Sequence, residues 1–128
     1  MATSPQFAAT PNIGSNVLSA TQDSSYTAPT HTVTIVTAGS NGTKIEEVDF
    51  VGTGTTVAGA VALYLYDGSV YHYFDTVLIS AVTPSTILAP FRQANLYPNL
   101  ELKSGWSLVA TSFAPSQFIN VLAFGGDL

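Results

Sequence analysis

The sequence predicts an all-β protein: an antiparallel β-sandwich, eight-stranded and of jelly-roll type, with an extended N-terminal arm. Three observations carry that expectation. From Thr32 onward, apolar and polar residues alternate with period two in short runs rich in Val, Thr and Tyr. Turn residues interrupt those runs every ~8–12 positions, the spacing of sandwich strands. No stretch between residues 32 and 124 keeps helical spacing of its apolar positions for more than about a turn.

Residues 1–30 stand apart and are expected to form the arm, with residues 31–128 as the sandwich. The arm carries one charge (Asp23), three prolines and only scattered large apolar residues. Alone it buries too little to offset its ordering entropy. It reads either as a frayed tail or as an extended arm that orders when Phe7, Ile13, Val17 and Leu18 find pockets on a neighbour.

The strands follow. "TVTIVTA" (32–38) alternates, and "GSNG" (39–42) supplies a turn with Asn-Gly. "KIEEVDFV" (44–51) places Val48 and Phe50 on one face and Glu47 and Asp49 on the other. "VAGAVALYLY" (57–66) and "SVYHYFDTVLIS" (69–80) flank Asp67-Gly68, read as a two-residue hairpin turn. A short strand is expected at "STILAPF" (85–91), inside a Pro-bounded loop, 84–98, whose Phe91, Arg92 and Tyr97 are candidate contact residues. Two strands around Ser104-Gly105 and a last one at "QFINVLAF" (117–124) complete the set.

A two-residue turn would pair Tyr64 with Tyr71 and sort the hairpin side chains. Tyr64, Tyr66, Tyr71 and Tyr73 share one face; Val61, Leu63, Leu65, Val70 and Phe74 share the other with His72. The aliphatic face is the core, and the tyrosines face outward. An outward group of phenols suits a subunit interface, or a sugar platform, for which Asp75 on the same period is the one carboxylate at hand.

Composition narrows the function. The chain has 128 residues and no cysteine, so one domain with its own core is expected and thiolate metal sites are excluded. Only 9% of residues are charged, against about 25% in an ordinary domain. A surface so poor in ions is expected to meet protein rather than water. The net charge of −5 offers no basic stripe for nucleic acid. No apolar run of membrane-spanning length is present, and the N-terminus lacks the order of a secretory signal.

Catalytic chemistry has little to work with. His31 opens a strand beside the arm, and His72 is expected on the core face, opposite in parity to Asp75. Glu46, Glu47 and Asp49 are read as a solvated strand face. No nucleophile, phosphate-loop or dinucleotide motif is present, and Asn41-Gly42-Thr43 is explained by its turn. The expectation is a protein with no catalytic residues, no metal and no cofactor.

One resemblance joins these features. The stretches "FAATPNIG", "VTAGSNGTKIEEVDF", "LYLYDG" and "VLAFGGDL", in that order along most of the chain, resemble small capsid decoration (cement) proteins of tailed bacteriophages. The resemblance implies a jelly-roll or related sandwich on the outer surface of a virion capsid. It implies a homotrimer that braces neighbouring copies of the major capsid protein, with no catalytic residue to carry over. Two other readings stand beside it: a virion-surface carbohydrate or host-recognition module, and a tail or baseplate structural component.

Overall fold

Runs of Val, Ile, Leu and Tyr bounded by Gly, Asn or Asp become strands, because alternation lets each strand bury one side. A computed structural model describes residues 10–128. The strands are β1 (Thr10–Val17), β2 (Val33–Thr37), β3 (Thr43–Gly52), β4 (Gly59–Tyr66), β5 (Tyr71–Ile79), β6 (Arg92–Leu102), β7 (Ser107–Ser112) and β8 (Ile119–Asp127). All pairings are antiparallel, in two four-stranded sheets of order β1-β8-β3-β6 and β2-β7-β4-β5. The protein is thus the antiparallel sandwich expected, with no helix among the described residues.

The pairing is nested. β4 pairs with β5, β3 with β6, β2 with β7 and β1 with β8, so the chain is one long hairpin wrapped over itself. Between the sheets lie Ile45, Val48 and Phe50 of β3, Val61 and Leu63 of β4, Leu108 and Ala110 of β7, and Val121 and Ala123 of β8, all fully buried. Each large side chain contributes about 1.5–3 kcal/mol through its burial. Along the β1–β2 side the sheets close tightly at Gly14, where a Cβ would lie 2.1 Å from the Ile35 carbonyl oxygen. That approach requires glycine.

The count of eight strands agrees with expectation, but two members differ. Residues 85–91 form no strand: Pro84 and Pro90 bracket a turn in which the Ser85 amide donates to the Leu88 carbonyl (2.9 Å). In their place stands β1, drawn from the segment read as arm. "TPNIGSNV" has weak strand propensity, and it is held by eight residues paired with β8. Residues 10–30 therefore belong to the sandwich, with Leu18 buried in its core, and no boundary falls at residue 30. Phe7 lies outside the described residues. Arg92 and Tyr97, read as loop, are in β6.

The β4–β5 turn is also wider than two residues. The Asp67 carboxylate accepts the Ser69 and Val70 amides (both 2.8 Å), and Gly68 takes a positive φ of 103°. Tyr66 therefore pairs with Tyr71 and Tyr64 with Tyr73. A two-position slip leaves every side chain on its predicted face. A bulge between Leu63 and Tyr64 then brings Asp75, not Phe74, opposite Leu63. Asp75 consequently leaves the tyrosine side.

Four connections gather at one end of the sandwich: residues 18–32, 53–58, 80–91 and 113–118. The turns 38–42, 67–70 and 103–106, with Thr10 and Leu128, occupy the other end.

Candidate functional site and interaction surfaces

The four tyrosines do share the outer face of the β2-β7-β4-β5 sheet, yet they are not free. Tyr64 is fully buried, and with Ala62 and Val109 it forms a second, smaller apolar cluster flanked by Tyr66, Tyr71 and Phe113. What covers it is the chain itself. The β1–β2 connection crosses this face and lays Tyr26 against Tyr73 (5.0 Å between ring centroids) and Phe113 (4.5 Å). Tyr66 stacks on Tyr71 at 4.4 Å. The expected subunit interface at Tyr64, Tyr66, Tyr71 and Tyr73 is corrected accordingly, since only Tyr73 remains exposed.

A buried carboxylate fastens this cover. Asp23 accepts hydrogen bonds from the Thr111 hydroxyl (2.6 Å), the Thr30 amide (3.0 Å) and hydroxyl (3.1 Å) and the His31 amide (3.1 Å). The His31 ring Nδ1 lies 3.0 Å from the same carboxylate. Burial alone would raise the Asp23 carboxyl, but the bonds from Thr111, Thr30 and His31 outweigh it and hold the group well below the usual range. Tyr64, beneath the cover, is pushed up to about 12 by burial and then by the charge of Asp23. His31 and Asp23 adjoin only the Thr30 and Thr111 hydroxyls, so the pair reads as a fastening.

The opposite face, outside β1-β8-β3-β6, has no such cover among the described residues. Across it runs a paired row, Ile13–Phe124–Glu47–Leu96, and two strand steps along another, Val17–Asn120–Val51–Arg92. Ile13 (61% exposed) and Leu96 (73%) are open to solvent. Val17 and Arg92, expected in an arm and in a loop, meet here in one row. A groove of about 660 Å³ follows this face, walled by Ile13, Phe124, Leu96, Lys44, Glu47 and Arg92.

Of the three acids expected on a solvated strand face, Glu46 is exposed, Glu47 is half-buried and Asp49 is not solvated. Asp49 is buried and bonded to Arg92 at 2.9 Å, and its Oδ1 has no hydrogen-bond partner among the described residues. The Glu47 carboxyl is raised above its ordinary range, first by its hydrogen bond to Asp49, then by burial and the Asp49 charge. Glu47 therefore retains a proton more readily than an ordinary glutamate. No group of three or more His, Asp or Glu side chains with metal-binding geometry occurs among the described residues.

His72 is not in the core. It is half exposed at the open end, 2.9 Å from Asp67 and stacked on Trp106 at 5.4 Å. Asp67 falls to about 2 through the Val70 amide, then His72 and the Ser69 amide. Along the open β5–β6 edge, Gln93 donates to Asn95 (3.0 Å), Asn95 to Tyr97 (3.3 Å) and Tyr97 to Asp75 (2.5 Å). Phe91, half-buried, packs against the main core. Comparison of the chain with protein-family models, curated proteins and solved structures finds no match.

Proposed function

We propose that this chain is a non-enzymatic structural protein of a phage virion that decorates and stabilises the capsid by bridging neighbouring major capsid proteins. The observation that carries this reading is the bare sheet face: Ile13, Val17 and Leu96 stand in solvent on a chain of which only 9% is charged. A long, flat, apolar sheet face is a liability in water and an asset against a partner. The nested pairing of β1 with β8 through β4 with β5 supports the jelly-roll reading, as two interleaved Greek keys produce it. The resemblance of "FAATPNIG" and "VLAFGGDL" to decoration proteins points the same way. The unit on the shell is a homotrimer on the outer capsid surface, where many modest contacts repeated by symmetry add up.

The test uses empty shells of the chain's own virion and co-sedimentation of added protein. The wild type binds, and Ile13→Asp with Leu96→Asp weakens binding at least tenfold. Failure of the wild type to bind removes the reading; full binding by the double variant removes this face from it.

A glycan-binding reading is favoured by a different place, the β5–β6 edge. There two rings, Phe74 and Tyr97, stand beside the amides of Asn95 and Gln93 and the Asp75 carboxylate, a pairing of ring and hydroxyl-reading groups. A glycan array with a Tyr97→Ala comparison tests it; no bound glycan rejects it.

A further inference from the structure

The connections at one end of the sandwich contain no Lys, Arg or Glu, and their one Asp, Asp23, is buried. His31 is held by that same carboxylate. What this end presents is uncharged, with apolar side chains standing among Ser and Thr: Ile87 is 96% exposed, Leu88 and Phe118 each 52%, and Val57 38%. The nearest other charges, on Arg92 and Asp49, neutralise each other. At the opposite end stand Asp67, Lys103, Asp127, Lys44 and Glu101.

These loops are built, not loose. The Thr53 amide donates to Phe118 (2.9 Å), Thr56 and Val82 exchange two backbone bonds (2.9 and 3.2 Å), and Gln117 bonds both backbone groups of Val57 (2.9 and 2.7 Å). Ser116 donates to Ala20 (2.9 Å), tying in the β1–β2 connection. The Ser85 hydroxyl accepts the Ile87 and Leu88 amides (3.3 and 3.2 Å), which leaves the Ile87 side chain at the tip of a closed turn. With these polar groups paired internally, docking the end costs little ordering entropy or desolvation.

We infer that this uncharged end is where copies of the chain meet. The occupant is the same end of a second copy, in a closed cyclic assembly around its symmetry axis. Charge selects it. Strands of about nine residues at ~3.3 Å each hold the charged end, with its three acids and two lysines, about 30 Å away, several times the ~8 Å screening length at physiological salt. End-to-end association therefore joins neutral surfaces and keeps the net-negative ends apart, which association through the other end would not do. Size permits it as well. Four strands at ~4.8 Å across and two sheets ~10 Å apart, with their side chains, give of order 500 Å² per copy. A pair then covers about 1,000 Å², the lower bound for a specific contact. Thr10, where the described chain begins, lies at the far end, beside Asp127.

This deepens the proposed reading by replacing the tyrosine face with another self-contact, and it rests on that reading only for the expectation that copies associate. The test is the mass of the full chain in solution by sedimentation velocity and native mass spectrometry, which needs no shells. The wild type is expected to be oligomeric at tens of micromolar. Ile87→Asp, which leaves the fold untouched because its side chain is bare, yields monomer, and Phe118→Ser shifts the equilibrium the same way. Val70→Asp, at the charged end, leaves the mass unchanged. A monomeric wild type overturns the inference, as does an oligomer that survives Ile87→Asp and Phe118→Ser. Monomer that floats with phosphatidylcholine vesicles overturns it in favour of lipid. Shell binding by a monomer would sink the inference and spare the proposed function; an oligomer that ignores shells would do the reverse.

Discussion

The two outer sheet faces make a controlled comparison within one molecule. One is rich in aromatics and covered by the chain's own β1–β2 connection; the other mixes exposed aliphatic side chains with charged ones and is bare. Both alternate as strands should, so pattern alone marks each as half-apolar. The difference lies in a single long connection and the carboxylate that fastens it. Aromatic content on a strand face signals that something covers it, and the cover can be fifteen residues of the same chain. On the bare face no such segment exists among the described residues.

The comparison breaks most sharply at Tyr64. Truncation to Ala should remove about 3–5 kcal/mol, as for other large-to-small changes at buried aromatics, read as a fall in urea midpoint with unchanged slope. Tyr64→Phe should cost under ~1 kcal/mol or stabilise slightly, because the buried hydroxyl has no partner to lose. If Tyr64→Ala behaved like a surface change, the covered face would be a misreading.

Next comes the fastening. Asp23→Ala strands donors on Thr111, Thr30 and His31 and should cost about 3 kcal/mol. Acid should do the same gradually. The folded carboxyl titrates below its ordinary ~3.9, so the unfolded chain binds more protons in that window. Stability from Asp23 is complete above pH ~4 and is lost as pH falls through the folded value. Glu47, on the bare face, runs oppositely. Its folded value is raised, so its contribution is present below ~4.3 and lost as pH climbs through the folded value. Urea midpoints between pH 3 and 7 (about the range spanned by carboxyl titration) should therefore rise less at the upper end than Asp23 alone dictates. Glu47→Gln should remove that droop, and an unchanged profile would show that the raised Glu47 carboxyl has no bearing on stability.

The smallest effect sharpens the contrast. Ile13→Ser and Leu96→Ser should each move stability by no more than ~0.5 kcal/mol, since neither side chain is buried in the single chain. A larger loss in dilute solution would mean that this face is covered after all.

Much of the sandwich was legible because it depends on local alternation. "KIEEVDFV" sends Val48 and Phe50 inward in any register the core permits, and the hairpin tyrosines kept their common face despite a wider turn. What escaped depends on partners distant in sequence. β1 looks like coil, with Pro11, Gly14 and Asn16, and becomes a strand through β8, over a hundred residues away. Residues 85–91 have strand composition, but flanking prolines and the Ser85 turn prevail. Asp23 stood out only as the one charge of its segment, because its partner Thr111 lies 88 positions along. The sole available signal was a Ser/Thr-rich connection with one acid in it. The bulge that re-aims Asp75 left no mark, because each flanking residue fits either face. The apolar loop end was visible as composition, but only the fold brings its four segments together.

Nesting also sets an order in time. Pairing Tyr66 with Tyr71 closes a four-residue turn, whereas pairing Val17 with Asn120 closes most of the chain, and the entropy of closure grows with that span. The molecule should zip outward from the Asp67 turn, like a folded ribbon pressed flat from its crease. β1 would be the last strand to lock and the first to breathe, so the strand that bears Ile13 and Val17 is also the one most readily peeled or re-seated.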